Sequence, residues 1–162
     1  MQAEAGAGRV ESVRPHSLAE LLECPPETGN LLSGSAQCLS FSAGQVVFCQ
    51  SEICRGLYLV LSGQFMRRSE RLATRLTLSS ARAGELVELS AVLGDGHHTC
   101  TLAAQSAGSV LLFPIDALTQ AFQSYPALRM RLLEELAREV SRAYRTCCLN
   151  RSIRHRWETP SE

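Results

Sequence analysis

From Phe41 to Phe113 the apolar residues come in short runs split by turn residues: QVVFC (45–49), GLYLVLSG (56–63), QFMRR (64–68), ATRLTLSS (73–80), ELVEL (85–89), TCTLAA (99–104) and SVLLF (109–113). Each is strand-length and rich in β-prone types. No connection between them can hold a crossover helix, which argues against a parallel α/β sheet and for a sandwich, barrel or jelly roll of about seven or eight strands. After Phe113 the period changes. Pro114 leads into IDALTQAFQSY, a short helix candidate, and Pro126 is placed to open a much longer one. In that second segment Met130, Leu133, Leu136 or Ala137, Val140, Ala143 or Tyr144, and Cys147 recur at three-and-four spacing, an apolar stripe between Arg- and Glu-rich faces. Ahead of the strands, Ser17-Leu18-Ala19-Glu20 has the form of a capping box, and the helix it opens should stop near Pro25 and Pro26.

These patterns divide the chain into a disordered arm (1–16), one domain (17–150) with a β-roll over about 38–113 and helices over about 115–148, and a basic tail (151–162). A chain of 162 residues with 45% hydrophobic content has room for one ordinary core. Its formal net charge is zero, so no field across the whole protein draws it to nucleic acid or to an acidic membrane. The tail stretch RSIRHRW reads as a solvated end rather than a nucleic-acid dock. The start lacks the apolar segment of a signal peptide and no run approaches the ~20 apolar residues of a membrane span, so a cytoplasmic protein is expected. Seven cysteines, an odd number without the tight repeated spacing of a cluster site, suit reduced and mostly buried thiols. Nucleophile turns, phosphate loops and paired catalytic carboxylates are absent from the sequence, and an enzyme is not expected.

From Phe41 to about Arg145 the residues resemble the cyclic nucleotide-binding domain of the catabolite-activator and fumarate-nitrate-regulator superfamily. FSAGQVVF resembles the opening strand and its glycine turn, and GLYLVLSGQF the strand-Gly-strand signature. AGELVELSAVL is similar to the entry of the phosphate cassette, and VLLFPIDALTQAFQSYPALRMRLLEEL to the last strand and the helices after it. The resemblance implies a mainly β fold with flanking helices: a double-stranded β-helix, or jelly-roll-like β-roll, followed by a long C-terminal dimerisation helix. It implies a homodimer through that helix. The superfamily's DNA-reading module normally follows the helix, and the dozen or so residues left are too few for two helices and a turn.

In ligand-binding members a glutamate holds the ribose hydroxyl and an arginine about nine residues later forks onto the cyclic phosphate, which suits carboxylate and guanidinium chemistry. Laid on this chain without gaps, the glutamate position falls on Leu89 and the arginine position on His98, with Ser90, Ala91, Thr99, Cys100 and Thr101 as the rest of the cassette. Glu88, one residue off, is expected on the opposite face of a strand. Both ligand-holding side chains are then missing, which predicts a degenerate pocket in a regulatory or sensor module that acts through itself or a protein partner. Two alternatives stay open: a genuine cyclic nucleotide binder with altered contacts, and a haem or metal sensor. His97, His98 and Cys100 are ligand types, but neighbours in a strand point to opposite faces. No metal or other cofactor is therefore expected, a cyclic nucleotide being the one candidate ligand.

Overall fold

The computed structural model describes residues 15–71 and 74–157. The expected arm at 1–16 lies almost wholly outside them, as does the end of the expected tail.

Eight strands form two four-stranded antiparallel sheets. The first contains β1 (Gln37–Phe41), β8 (Gly108–Pro114), β3 (Gly56–Ser62) and β6 (Leu86–Val87) in that spatial order. The second contains β2 (Val46–Phe48), β7 (Thr101–Ala104), β4 (Gln64–Arg71) and β5 (Thr74–Arg82). Two strands are central to the core. In β3, Tyr58 and Val60 face the space between the sheets, while Leu57 and Leu59 face a second core under the helices. In β8, Val110 and Leu112 join the first core, and Leu111 and Phe113 the second. Side chains alternate along a strand, so a strand buried on both faces must be apolar throughout, which is why GLYLVLS and SVLLF read as unbroken runs.

The second core is roofed by α1 (Pro15–Leu22), α2 (Pro26–Ser35), α4 (Ile115–Ser124) and the start of α5 (Pro126–Trp157). Leu18, Leu22, Leu32, Leu118, Leu128 and Leu132 are each at most 3% exposed there. The first helix begins at Pro15, so Ser17 lies within it rather than capping it, and Pro25 and Pro26 mark the entry to α2, which the sequence patterns did not foretell. Helix α5 continues through Trp157, and the RSIRHRW stretch expected as a tail is helical.

Only the base of α5 is covered. Leu128 and Leu132 are buried and Leu136 packs against the same cluster, whereas Met130, Val140 and Tyr144 are 58%, 59% and 70% exposed. Met130, Val140 and Tyr144, part of the apolar stripe seen in the sequence, thus face away from the β-roll. The ion pairs Arg131–Glu23 and Arg67–Glu139 tie the first half of the helix to the residue after α1 and to β4.

Candidate functional site

The cassette begins where β6 ends. Glu88 adopts a left-handed conformation, with φ 77° and ψ 26°, and caps the short helix α3 (Leu89–Leu93). A non-glycine residue there is uncommon. The turn breaks the alternation that a continuous strand would impose and swings the Glu88 side chain inward. The expectation that Glu88 lies on the face away from His98 is therefore wrong. Glu88 Oε2 lies 3.0 Å from His98 Nδ1, and the two side chains are 2% and 1% exposed. The same oxygen accepts from Thr99 N–H at 3.3 Å, and Oε1 accepts from the Thr99 hydroxyl at 3.4 Å and from the Cys100 thiol at 3.5 Å.

Leu89, placed by the ungapped reading at the glutamate position, is instead the first residue of α3. It is 2% exposed, in one apolar cluster with Leu57, Leu59 and Leu111. Ala91 is fully buried behind it, and half-buried Ser90 reaches the Thr99 hydroxyl at 3.5 Å. Thr101 opens β7 and accepts from Gln50 N–H at 3.0 Å. His98, Thr99 and Cys100 thus converge on one carboxylate; Leu89, Ser90, Ala91 and Thr101 do not touch it among the described contacts.

His98 is held from the other side by aromatic packing and by main chain. Its ring stacks on Phe48 with centroids 3.8 Å apart and planes 5° from parallel, and Phe48 in turn meets Tyr58 at 5.0 Å. Ser51 N–H donates to His98 O, His98 N–H to Glu52 O, and Cys54 N–H to Gly96 O, each at 2.8 Å. This ladder sets the segment 51–54 beside 96–98. It brings in Cys54, which is 4% exposed and which the sequence reading assigned no role. The sulfur of Cys54, a carboxylate oxygen of Glu88 and a ring nitrogen of His98 all lie within 4.8 Å of one another. His97 points outward, its N–H bonded to Asp95 Oδ1 at 3.0 Å, so the adjacent histidines face opposite ways.

Burial above all, with the nearby Glu88 charge adding to it, pushes the Cys100 thiol up to about 12. Burial also raises the Cys54 thiol and takes the Tyr58 hydroxyl up to about 12. Without a metal these groups stay protonated at neutral pH and are weak nucleophiles.

A cavity of about 560 Å³ opens between α5 and the β4–β5–β6 side of the roll. Its wall includes Leu89, Arg67, Ser79, Ser80, Glu139 and Arg142. Arg67 Nη1 donates to Ser79 Oγ at 3.1 Å, so its guanidinium is already engaged there. Glu88 and His98 do not line this cavity; they point into the space between the sheets.

A β-roll followed by a long helix, with the cassette between β6 and β7, has the architecture of the cyclic nucleotide-binding fold. The sequence profile of the cyclic nucleotide-binding domain matches residues 38–125, more than half of the chain. The chain belongs to that family. Its fold is similar to a cyclic nucleotide-binding domain from Methylobacillus flagellatus, with TM-score 0.71 and 18% identity over 91% of this chain and 85% of that one. It is also similar to the sensor domain of the transcriptional regulator DNR from Pseudomonas aeruginosa, with TM-score 0.68 and 18% identity over 79% and 91% of the two chains. The Thermus thermophilus catabolite activator protein gives TM-score 0.67 and 24% identity over 77% of this chain. The alignment spans 59% of the length of that activator. Among curated proteins there is no match. None of the helices among the described residues is long and apolar enough to cross a membrane.

Proposed function

We propose that this chain is a dimeric regulatory module of the cyclic nucleotide-binding family in which the usual cyclic nucleotide contacts are replaced by an internal pair. The observation that carries the reading is Glu88–His98 at 3.0 Å, both side chains almost wholly buried. A carboxylate that would accept from a ribose hydroxyl is here engaged by His98, Thr99 and Cys100. His98, at the position the resemblance gives to the phosphate-holding arginine, points at that carboxylate and lies flat on Phe48. Cyclic AMP and cyclic GMP would have to break the pair to use either group. The carboxylate of the cassette is present but occupied, and only the guanidinium is lacking.

That difference sets the test. His98→Arg should raise affinity for cyclic AMP by about ten- to a hundredfold, the value of one charge-assisted hydrogen bond. The longer side chain can pair with Glu88 while reaching toward a phosphate. Leu89→Glu should give no gain, because it buries a carboxylate among leucines. Unchanged affinity in a folded His98→Arg protein, measured by calorimetry, would mean that the missing guanidinium is not what bars the ligand.

The 560 Å³ cavity favours a second reading, a small-ligand binder with altered contacts on Ser79, Ser80 and Arg142. A thermal-shift screen separates the two, since a ligand present at a hundred times its Kd stabilises the fold by about 2.7 kcal/mol. Dimerisation rests on the exposed stripe Met130, Val140 and Tyr144, which repeats at the spacing of a two-stranded seam.

A further inference from the structure

We infer that Cys54, Glu88 and His98 form a binding site for one divalent cation of borderline softness, of which zinc is the best chemical match. This goes beyond the regulatory reading and does not depend on the fate of cyclic nucleotides. Three different donor atoms, two from the cassette and one from the β2–β3 connection, lie within 4.8 Å of one another, and the three residues are 4%, 6% and 3% exposed. Tetrahedral zinc, with bonds of roughly 2.0–2.3 Å, holds its ligands about 3.3–3.8 Å apart. Side-chain movements on the order of 1 Å would bring the donors to that spacing, with the Glu88–His98 contact opening from 3.0 Å. A thiolate, an imidazole and a carboxylate are zinc ligand types, whereas magnesium and calcium need mostly oxygen.

Two further features support the assignment. The first is charge. Thiolate and carboxylate together cancel a dication, with the imidazole neutral, so the loaded site carries no net charge into the interior. The second is the incomplete bonding of the carboxylate. Its Oε1 has only long contacts, 3.4 Å to the Thr99 hydroxyl and 3.5 Å to the Cys100 thiol. Those are poor partners for a buried anionic oxygen, which ordinarily accepts shorter bonds. The His98 contact accounts for Oε2 but not for the second oxygen, which meets the Thr99 hydroxyl and the Cys100 thiol only at long range.

The frame is set without an ion. The main-chain ladder between 51–54 and 96–98, with the isolated bridge Ile53–His97, fixes Cys54 against His98, and the stack on Phe48 fixes the ring plane. On binding, the Cys54 S–H bond breaks, sulfur keeps the electron pair and donates it to the metal, and the proton passes to solvent buffer. The ion would pin the cassette to the β2–β3 connection.

The test uses the full chain, reduced and stripped with a chelator, and titrated with cobalt(II) as a spectroscopic probe and then with zinc. One equivalent of cobalt should produce a thiolate-to-cobalt charge-transfer band that zinc abolishes, and zinc should raise the melting temperature. Cys54→Ser should remove the band and weaken zinc binding by at least about a hundredfold, judged against the effect of lost ligand support. His97→Gln and Cys38→Ser should leave both unchanged. If Cys54→Ser does not fold by circular dichroism, Cys54→Ala takes its place. No thiolate band in the folded wild type, or a band that survives loss of Cys54, would overturn the site.

Discussion

Glu88→Ala should destabilise the fold by about 3–5 kcal/mol, on the order of 1–3 kcal/mol for each buried group left without its acceptor. His98 Nδ1, the Thr99 N–H and hydroxyl, and the Cys100 thiol all lose their acceptor at once. Water cannot replace it without opening the packing around Phe48 and Tyr58. The backbone adds to the cost, since alanine gains nothing at φ 77° and loses the inward bonds that hold Glu88 there. Glu88→Gln, which keeps the volume and one carbonyl acceptor, should cost less. Changing both partners, Glu88→Leu with His98→Leu, should cost less than the sum of the two single changes, because no polar group is then left unpaired. Urea unfolding of wild type, Glu88→Ala, Glu88→Gln, Glu88→Leu, His98→Leu and the double variant, with slopes checked for constancy, gives these differences. A Glu88→Ala protein within about 1 kcal/mol of wild type would mean that the pair contributes little to the fold and that the cassette is free to open.

The second large effect concerns assembly. Val140 is 59% exposed, beyond the part of α5 that the β-roll covers, so changing it should leave the monomer fold intact. In a parallel two-stranded pairing it would meet its symmetry mate at the seam, and Val140→Glu would bring two carboxylates together there. Like charges in such a position cost several kcal/mol, so the monomer–dimer constant should weaken by at least about a hundredfold. Sedimentation should show wild type as a dimer at micromolar concentration and the variant as a monomer with an unchanged circular dichroism spectrum. A wild type that sediments as a monomer would remove the dimer from the account.

How much of this could be read from residues alone follows from which interactions are local. Strands β3 and β8 were visible because burial on both faces makes every position apolar. Helix α5 was visible because Pro126 marks its start and its outer stripe repeats over several turns. Helix α2 was not, because PETGNLLSGS mixes helix formers with two glycines and two serines. One of them, Gly29, is required by tertiary contact: a Cβ there would come within 2.9 Å of the Ala19 side chain. Strand β1 escaped for a similar reason, its pairing with β8 being long-range and its pattern weak.

At the site, His98 was legible from its place in the cassette, but its partner was misassigned. A strand reading of ELVEL carries alternation through residue 89, whereas the chain leaves the strand after Val87 and turns left-handed at Glu88. One backbone torsion decided which neighbour, Glu88 or Leu89, faces the interior. A helix start hidden in LSAVL was the only local sign of that turn. Cys54 had no local signal, since the main-chain ladder to residues 96–98 exists only in the folded chain.

Calorimetry of the wild-type protein with cyclic AMP and cyclic GMP shows whether the Glu88–His98 pair keeps these nucleotides out. With Glu88 bonded to His98 and no guanidinium in the cassette, two charge-assisted contacts worth about 1.5–3 kcal/mol each are denied to the ligand. The account predicts binding no tighter than high micromolar for either nucleotide; submicromolar binding by the wild type would contradict it.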